Sequence, residues 1–411
     1  MTSVMKYYEG IDSVAVIGNY LPRQCGIATF TTDLVEGLST EAPDIKCWAT
    51  AINDTPEGYS YPEKVRFEIN QNKLTDYSVA SQFLNISQTD IVCLQHEYGL
   101  FGGPAGSHLL KLLGDLRMPV VTTLHTILKD PAPEYRDIMC RLSDLSDKLV
   151  VMSRKAADFL KEIYAVPEEK IAFIHHGIPD TPFIDSSFNK DKFGVEGKKV
   201  LLTFGLLSPN KGIENVLQAL PAVIKKHPDV VYIILGATHP HILKLHGDAY
   251  RIMLQQLVRK LDIGEHVIFQ NRFVTLRELC EFLGIADIYV TPYLDEAQIT
   301  SGTLAYAMGT GKAVISTPYW YAAEMLADAS IEANRMLDEA TTTSQDLLDD
   351  TQRRCQRAAR RGISAAFEMA GMLGYTDTRR ERFDDDAEQE AFEDFFEGDK
   401  TSTDRAWMAA S

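Results

Sequence analysis

Short runs of consecutive apolar, often β-branched residues recur along most of this chain, each followed by a polar loop and then by a stretch with helical spacing. The first series occupies residues 13–18, 47–52, 65–69, 91–95, 120–124, 148–152 and 171–174. These runs are apolar at nearly every position rather than at every second one. Both faces of each strand must therefore be covered, which predicts a parallel sheet with helices on both sides. Between 181 and 199 the chain turns polar (TPFIDSSFNKDKFGVEGKK), the composition of a linker and hinge. A second series follows at 200–204, 231–236, 267–270, 288–292 and 313–316. The expectation is an α/β chain with two Rossmann-like, doubly wound domains, residues 1–185 and 186–330, facing a cleft. After about Asp328 the pattern fails. Residues 331–376 hold helix-like stretches rich in Arg, Asp and Gln with no buried strand, and the end carries Asp384-Asp385-Asp386 and EAFEDFFEGD. Residues 331–411 read as an atypical helical or disordered acidic tail.

A length of 411 residues exceeds the span of one core, in keeping with two domains. The net charge of −17 argues against nonspecific binding to nucleic acid or anionic lipid. Much of that charge is local: from Glu381 to Ser411 there are eleven acidic residues against three basic ones. The six cysteines include no CxxC pair and sit mostly in apolar segments, which suits buried thiols in a reducing compartment. No apolar run reaches the length of a membrane span and the start lacks a signal core, so a cytoplasmic protein is expected.

In open parallel sheets, ligands bind beyond the carboxyl ends of the strands. The unusual polar loops, at 18–26, 96–103, 125–130, 175–180, 205–211, 236–246 and 295–303, all follow predicted strands. The turn Thr300-Ser301-Gly302-Thr303 opens a short helix, whose unpaired N–H groups and dipole can dock a phosphate; an ordinary capped helix is the alternative. Gly26, in PRQCGIATF, lies where a strand hands over to a helix, so the backbone can pass close to an anion, with Arg23 and Gln24 in reach; a plain strand-to-helix turn reads equally well. His96 and His125 each end a predicted strand and are expected to face the cleft, able to exchange a proton or hold a hydroxyl. Glu97 follows His96 without the second histidine of a zinc-protease pattern. Lys211 precedes a helix start, an unfavourable place for an ammonium unless an anion such as a diphosphate lies between them; a solvated lysine is the alternative. His239, His241 and His246 lack the companion ligands of a metal site, and nothing near Asp384 and Asp386 completes one.

The chain resembles, over residues 11 to 327, the retaining nucleotide-sugar glycosyltransferases of family 4 (group 1), which have the two-domain GT-B fold. The segments that carry this are PRQCGIATF, TTLHTILKDP, GLLSPNKGIENVLQALP, ADIYVTPY and TSGTLAYAMGTGKAVIST. The resemblance implies transfer of a hexosyl group from a nucleotide diphosphate sugar to a carbohydrate or other hydroxyl acceptor with retention. The donor would be a co-substrate, with no cofactor and no metal. It implies catalytic roles for His125, Lys211 and Gln298, and donor contacts from Gly26, Ser301, Gly302 and Thr303. His96 and Glu97 are expected on the acceptor side. Three departures stand out. The usual arginine of the phosphate clamp is Leu206, which leaves Arg272 or Arg23 to replace it. The family's two glutamates fall on Gln298 and Tyr306, with Glu296 two residues upstream of the first. Neither the family's last strand nor its closing helix is legible after Asp328. A non-catalytic or degenerate nucleotide-sugar binder is the alternative, and epimerisation or phosphorolysis on the same fold a third.

Overall fold

The computed structural model describes residues 10–182 and 185–372. All twelve predicted strands are present. The first sheet holds β1 (Ser13–Gly18), β2 (Lys46–Asn53), β3 (Val65–Asn70), β4 (Ile91–His96), β5 (Val120–Leu124), β6 (Lys148–Val151) and β7 (Ile171–Phe173), in the spatial order β3-β2-β1-β4-β5-β6-β7. Helices α1 (Gly26–Glu41), α2 (Leu74–Ile86), α3 (His108–Gly114), α4 (Pro133–Asp144) and α5 (Arg154–Glu162) connect them. The second sheet holds β8 (Lys199–Phe204), β9 (Val230–Leu235), β10 (Val267–Gln270), β11 (Ile288–Thr291) and β12 (Ala313–Ser316), ordered β10-β9-β8-β11-β12. Its helices are α6 (Ile213–Lys226), α7 (Pro240–His246), α8 (Ala249–Lys260), α9 (Leu276–Ile285) and α10 (Gly302–Gly309).

The continuous apolar runs are explained by two-sided burial. In β1, Val14 and Val16 pack into one core with Val35 of α1, while Ala15 and Ile17 pack into another with Tyr77 and Leu84 of α2. In β9, Val231, Ile233 and Leu235 face one core and Tyr232 and Ile234 the other. Successive side chains point to opposite faces, so a strand with a core on each side has no polar position to spare. The rule fades at the edges: β3 alternates in burial, and Ala313 and Ile315 of β12 are exposed.

Strand order creates two switch points. In the first sheet the chain runs outward from β1 through β2 to β3 and then returns to the other side of β1 with β4. The second sheet repeats this with β8, β9 and β10, then β11. The loops leaving β1 and β4, and those leaving β8 and β11, therefore part in opposite directions and open a crevice at each site.

Beyond β12 the chain enters α11 (Trp320–Met372). The chain divides into two compact units, Met1–Ala329, which contains both sheets, and Ser330–Ser411. Where the sequence leaves 331–372 between helix and disorder, the structure has one continuous helix. Its exposed positions are tied by Arg335 with Glu332 and Glu339 and by Arg354 with Asp350, spacings that support a helix without a core. Asp384, Asp386 and the EAFEDFFEGD segment lie outside the described residues.

Candidate active site

The N-terminus of α10 is built for close approach. Ser301 caps it, its Oγ accepting from the Leu304 N–H at 3.4 Å, and lies 3.2 Å from Thr303 Oγ1. Gly302 follows, and the His176 imidazole lies against it: a Cβ at 302 would sit 2.8 Å from His176 Nε2. Thr303 Oγ1 in turn is 2.8 Å from the Tyr293 hydroxyl, and Tyr293 stacks on Tyr319 with ring centres 5.2 Å apart.

The loop after β8 folds onto the same residues. Gly212 takes a left-handed conformation (φ +61°) and passes against the Pro292 carbonyl and the Leu294 side chain, a position no Cβ could occupy. The Leu294 N–H donates to the Asn210 carbonyl at 2.9 Å. This brings Lys211 Nζ over the Tyr293 ring, 3.7 Å from its centre, a short cation–π contact. Lys211 and the Ser301-Gly302-Thr303 turn thus meet across one tyrosine at the switch point of the second sheet.

The first sheet meets them through His176. Its ring is 5.1 Å from Phe30 of α1 and 5.9 Å from Tyr306 of α10, and Phe30 touches His125 at 4.8 Å. Gly26, one turn before Phe30, is exposed and has open space where a side chain would be. The cap of its helix is the Cys25 thiol, which accepts from the Ala28 N–H at 3.2 Å and from Asn19 Nδ2 at 3.1 Å. His125, Lys211 and Ser301 are therefore linked through Phe30, His176, Gly302, Thr303 and Tyr293, and Gly26 lies one turn before Phe30 on α1.

Burial disfavours the charged form of both histidines here. Burial pushes His125 down to about 3, with His176 and His96 adding to the effect. His176 is also lowered by burial, opposed by its hydrogen bond with the Gly177 carbonyl. A charged imidazole would have to lose most of its hydration in this setting.

Several expected contacts are spent elsewhere. His96 does not face a cleft: it is fully buried between Tyr98 and Phe101, its ring nitrogens have no partner among the described residues, and burial lowers it to about 4. It is the last residue of β4, and in a two-sided sheet the side chain of that position points into the helical layer. Glu97 accepts from Thr126 Oγ1 at 2.6 Å and from the Tyr98 N–H at 3.0 Å, and burial raises its carboxyl above the usual range. Arg23 does not reach for an anion. Its guanidinium donates to Asn19 Oδ1 and to the Ile52 carbonyl and pairs with Asp54, tying the ends of β1 and β2 together. Arg272 pairs with Glu278, the carboxylate of the α9 capping box, beyond the edge strand β10. Gln298 turns its amide onto the Thr300 carbonyl at 3.0 Å within its own loop, and Glu296 is exposed. Tyr306 is buried, and its hydroxyl donates to Asp33 Oδ2 of α1 at 2.8 Å.

Four contributors were not singled out in the sequence: Phe30, Asp33, His176 and Tyr293. Phe30 and Asp33 are three apart on α1, the spacing of one helix face. His176 stands in a loop after a strand, like His125, and that parallel was the available signal. Among the described residues, no group of three or more His, Cys, Asp or Glu side chains is arranged to hold a metal ion. No helix among them is long and apolar enough to cross a membrane.

Two doubly wound sheets with converging switch-point loops define the GT-B architecture. HepE from Anabaena, solved in complex with UDP and glucose, superimposes with a TM-score of 0.58 at 15 % identity, over 76 % of this chain and 82 % of HepE. The chain belongs to the group 1, family 4 glycosyltransferases: residues 25–181 match Glycosyltransferase Family 4 and residues 185–362 match Glycosyl transferases group 1. The match continues past residue 327, where the legible motifs end, into α11. Among curated relatives, a GDP-mannose-dependent alpha-(1-6)-phosphatidylinositol monomannoside mannosyltransferase of Mycolicibacterium smegmatis is 22 % identical over 45 % of this chain and 46 % of its own length. An alpha-monoglucosyldiacylglycerol synthase of Streptococcus pneumoniae is 24 % identical over 73 % of this chain and 70 % of its own. The chain thus spans about half the length of the mannosyltransferase.

Proposed function

We propose that this protein transfers a hexosyl group from a nucleotide diphosphate sugar to a hydroxyl acceptor with retained anomeric configuration. The observation that carries the reading is the meeting of Lys211 with the N-terminus of α10 across Tyr293. Breaking the bond between sugar and diphosphate leaves negative charge on phosphate. An ammonium and preset backbone N–H groups at that point stabilise the transition state more than the ground state. Their dipoles are already oriented by Gly212, Ser301 and Tyr293, so little reorganisation is needed during reaction. Neutral His125 at the facing strand end offers a hydrogen-bonding group for the sugar without adding positive charge beside a developing oxocarbenium ion. The leaving phosphate then takes the acceptor's proton on the same face, so no protein nucleophile is needed.

A second reading, a non-catalytic binder of the same donors, is favoured by Leu206 and by the engagement of Gln298 and Tyr306 with Thr300 and Asp33. One experiment separates the two. Thermal shift with UDP, GDP and ADP selects the base, and the matching sugars are then offered with simple glycoside acceptors. Transfer with the product anomer equal to that of the donor, read by NMR, supports the enzyme. Saturable nucleotide binding with neither transfer nor donor hydrolysis supports the binder, and no nucleotide binding at all overturns both.

A further inference from the structure

We infer that Gln95 sets the protonation pattern of His125, holding the hydrogen on Nε2 and leaving Nδ1 as a lone-pair acceptor for a ligand hydroxyl. His125 Nε2 lies 3.0 Å from Gln95 Oε1. With the Gln95 amide turned oxygen-first toward the ring, its carbonyl can only accept, and the imidazole nitrogen facing it carries the hydrogen. A neutral imidazole has one N–H, which leaves Nδ1 as the acceptor. The ring meets that of Phe30 edge-on, with the ring centres 4.8 Å apart. Nδ1 is the ring atom left for a ligand.

The second observation concerns Gln95 itself. The residue is fully buried at the carboxyl end of β4, the central strand beside the switch point, and its amide Nε2 is sealed from solvent without a partner. A desolvated amide donor with no bond costs stability, and a purely structural position would be better filled by an apolar side chain. The arrangement makes sense if the amide is retained for its bond to His125. The titratable groups facing His125 are His96 from β4 and His176 from the segment after β7, with the Phe30 ring from α1; neither histidine helps the imidazole ionise. An uncharged glutamine orients the ring, whereas a carboxylate in its place would draw a second proton onto it and destroy the acceptor.

Gln95 is thus a positioning residue, and its role rests on the reading of His125 as a sugar-contacting group. The chemistry it selects is a donor-sugar hydroxyl able to give a hydrogen bond, in preference to a carbonyl or ether oxygen at the same place.

The test reads the tautomer and the activity separately. Histidine-ring 15N spectra of the full chain, with the His125 signal assigned by its loss in His125→Gln, should show a neutral ring protonated on Nε2 from pH 5 to 8. In Gln95→Met, nearly the same in shape, the ring should populate the Nδ1–H form, and transfer should fall about tenfold in kcat. In Gln95→Glu the His125 apparent pKa should rise, producing a pH–rate profile that is low below that pKa and recovers above it, where the wild-type profile is flat. Gln95→Asn, with the amide drawn back by one methylene, should show an intermediate tautomer mixture. A wild-type ring protonated on Nδ1, or a Gln95→Met variant with unchanged tautomer, overturns the inference whatever the activity. Correct tautomers with no transfer from any donor would instead count against the proposed function and leave the Gln95 assignment standing.

Discussion

Replacing Tyr306 by Phe tests how the two sheets are held together. The Tyr306 hydroxyl on α10 donates to Asp33 Oδ2 on α1 at 2.8 Å, a bond between residues 273 positions apart. Tyr306 is only 7 % exposed, so the substitution removes one oxygen and leaves the ring in place. What remains is a partly buried carboxylate without its donor. Burial raises the Asp33 carboxyl above its ordinary range, and the Tyr306 hydroxyl works against that rise. At pH 7 the lost bond is to a charged group, of about 1.5–3 kcal/mol, whereas to a protonated carboxyl it is about 0.5–1.5 kcal/mol. The sign follows from linkage. A carboxyl raised in the folded state makes its stabilising contribution at low pH and loses it as pH rises through the folded value. Removing the hydroxyl raises that value further, so Tyr306→Phe should destabilise by about 2 kcal/mol at pH 7 and by about half as much at pH 4. Urea titrations at the two pH values, on Tyr306→Phe, Asp33→Asn and the double variant, measure this directly. The double variant should lose less than the sum of the single variants, because both lose the same bond. Equal losses at both pH values, or strict additivity, would show that the hydroxyl and carboxylate do not interact and that the sheets are joined by other contacts.

Lys211→Ala should lower transfer by about 10²–10³ while leaving the far-UV spectrum and unfolding midpoint nearly unchanged; Arg272→Ala, whose partner is Glu278, should change transfer less than about threefold. Equal losses in steady-state assays of the two variants would reverse the assignment of the phosphate cation. His96 and His125 are lowered to about 4 and about 3, well below the unfolded value near 6.5. The unfolded chain therefore binds their protons first, so stability is intact above pH 6.5 and falls as pH drops toward those values, by up to about 1.4 kcal/mol per pH unit for each ring. Unfolding curves of His96→Phe between pH 7 and 5 should show a shallower pH slope than the wild type, and an unchanged slope would mean that His96 is hydrated in the folded state.

The strands and their grouping were legible because two-sided burial leaves a local mark: β1 and β9 cannot carry a polar side chain on either face without facing a core. The helix starts at Gly26 and Ser301 were legible for a similar reason, since caps and small residues are chosen by the nearest few backbone groups. The position of Lys211 just ahead of a helix start was readable too, since Gly212 precedes α6. Less visible was what each polar side chain bonds to. Arg23 reads as an anion ligand in its loop, but its guanidinium is taken by Asn19, Ile52 and Asp54, two of them on or beyond a neighbouring strand. Tyr306 reads as a lost glutamate until Asp33, far away in the chain, is seen beneath it. His96 and His125 stand at equivalent strand ends in the sequence, yet one is sealed beneath Tyr98 and Phe101 while the other meets Phe30.

The amino-acid sequence by itself determined the two parallel sheets, the polar loops that follow their strands and the capped helix start at Ser301, because each depends on burial pattern or on groups a few residues apart. Only the tertiary structure decided which polar atoms remain available: the pairing of Gln95 with His125, Tyr306 with Asp33 and Lys211 with Tyr293 joins separate elements. A hydrogen bond of that kind is set by distances of a few tenths of an ångström between surfaces that meet only after the sheets have packed, and no local pattern encodes it.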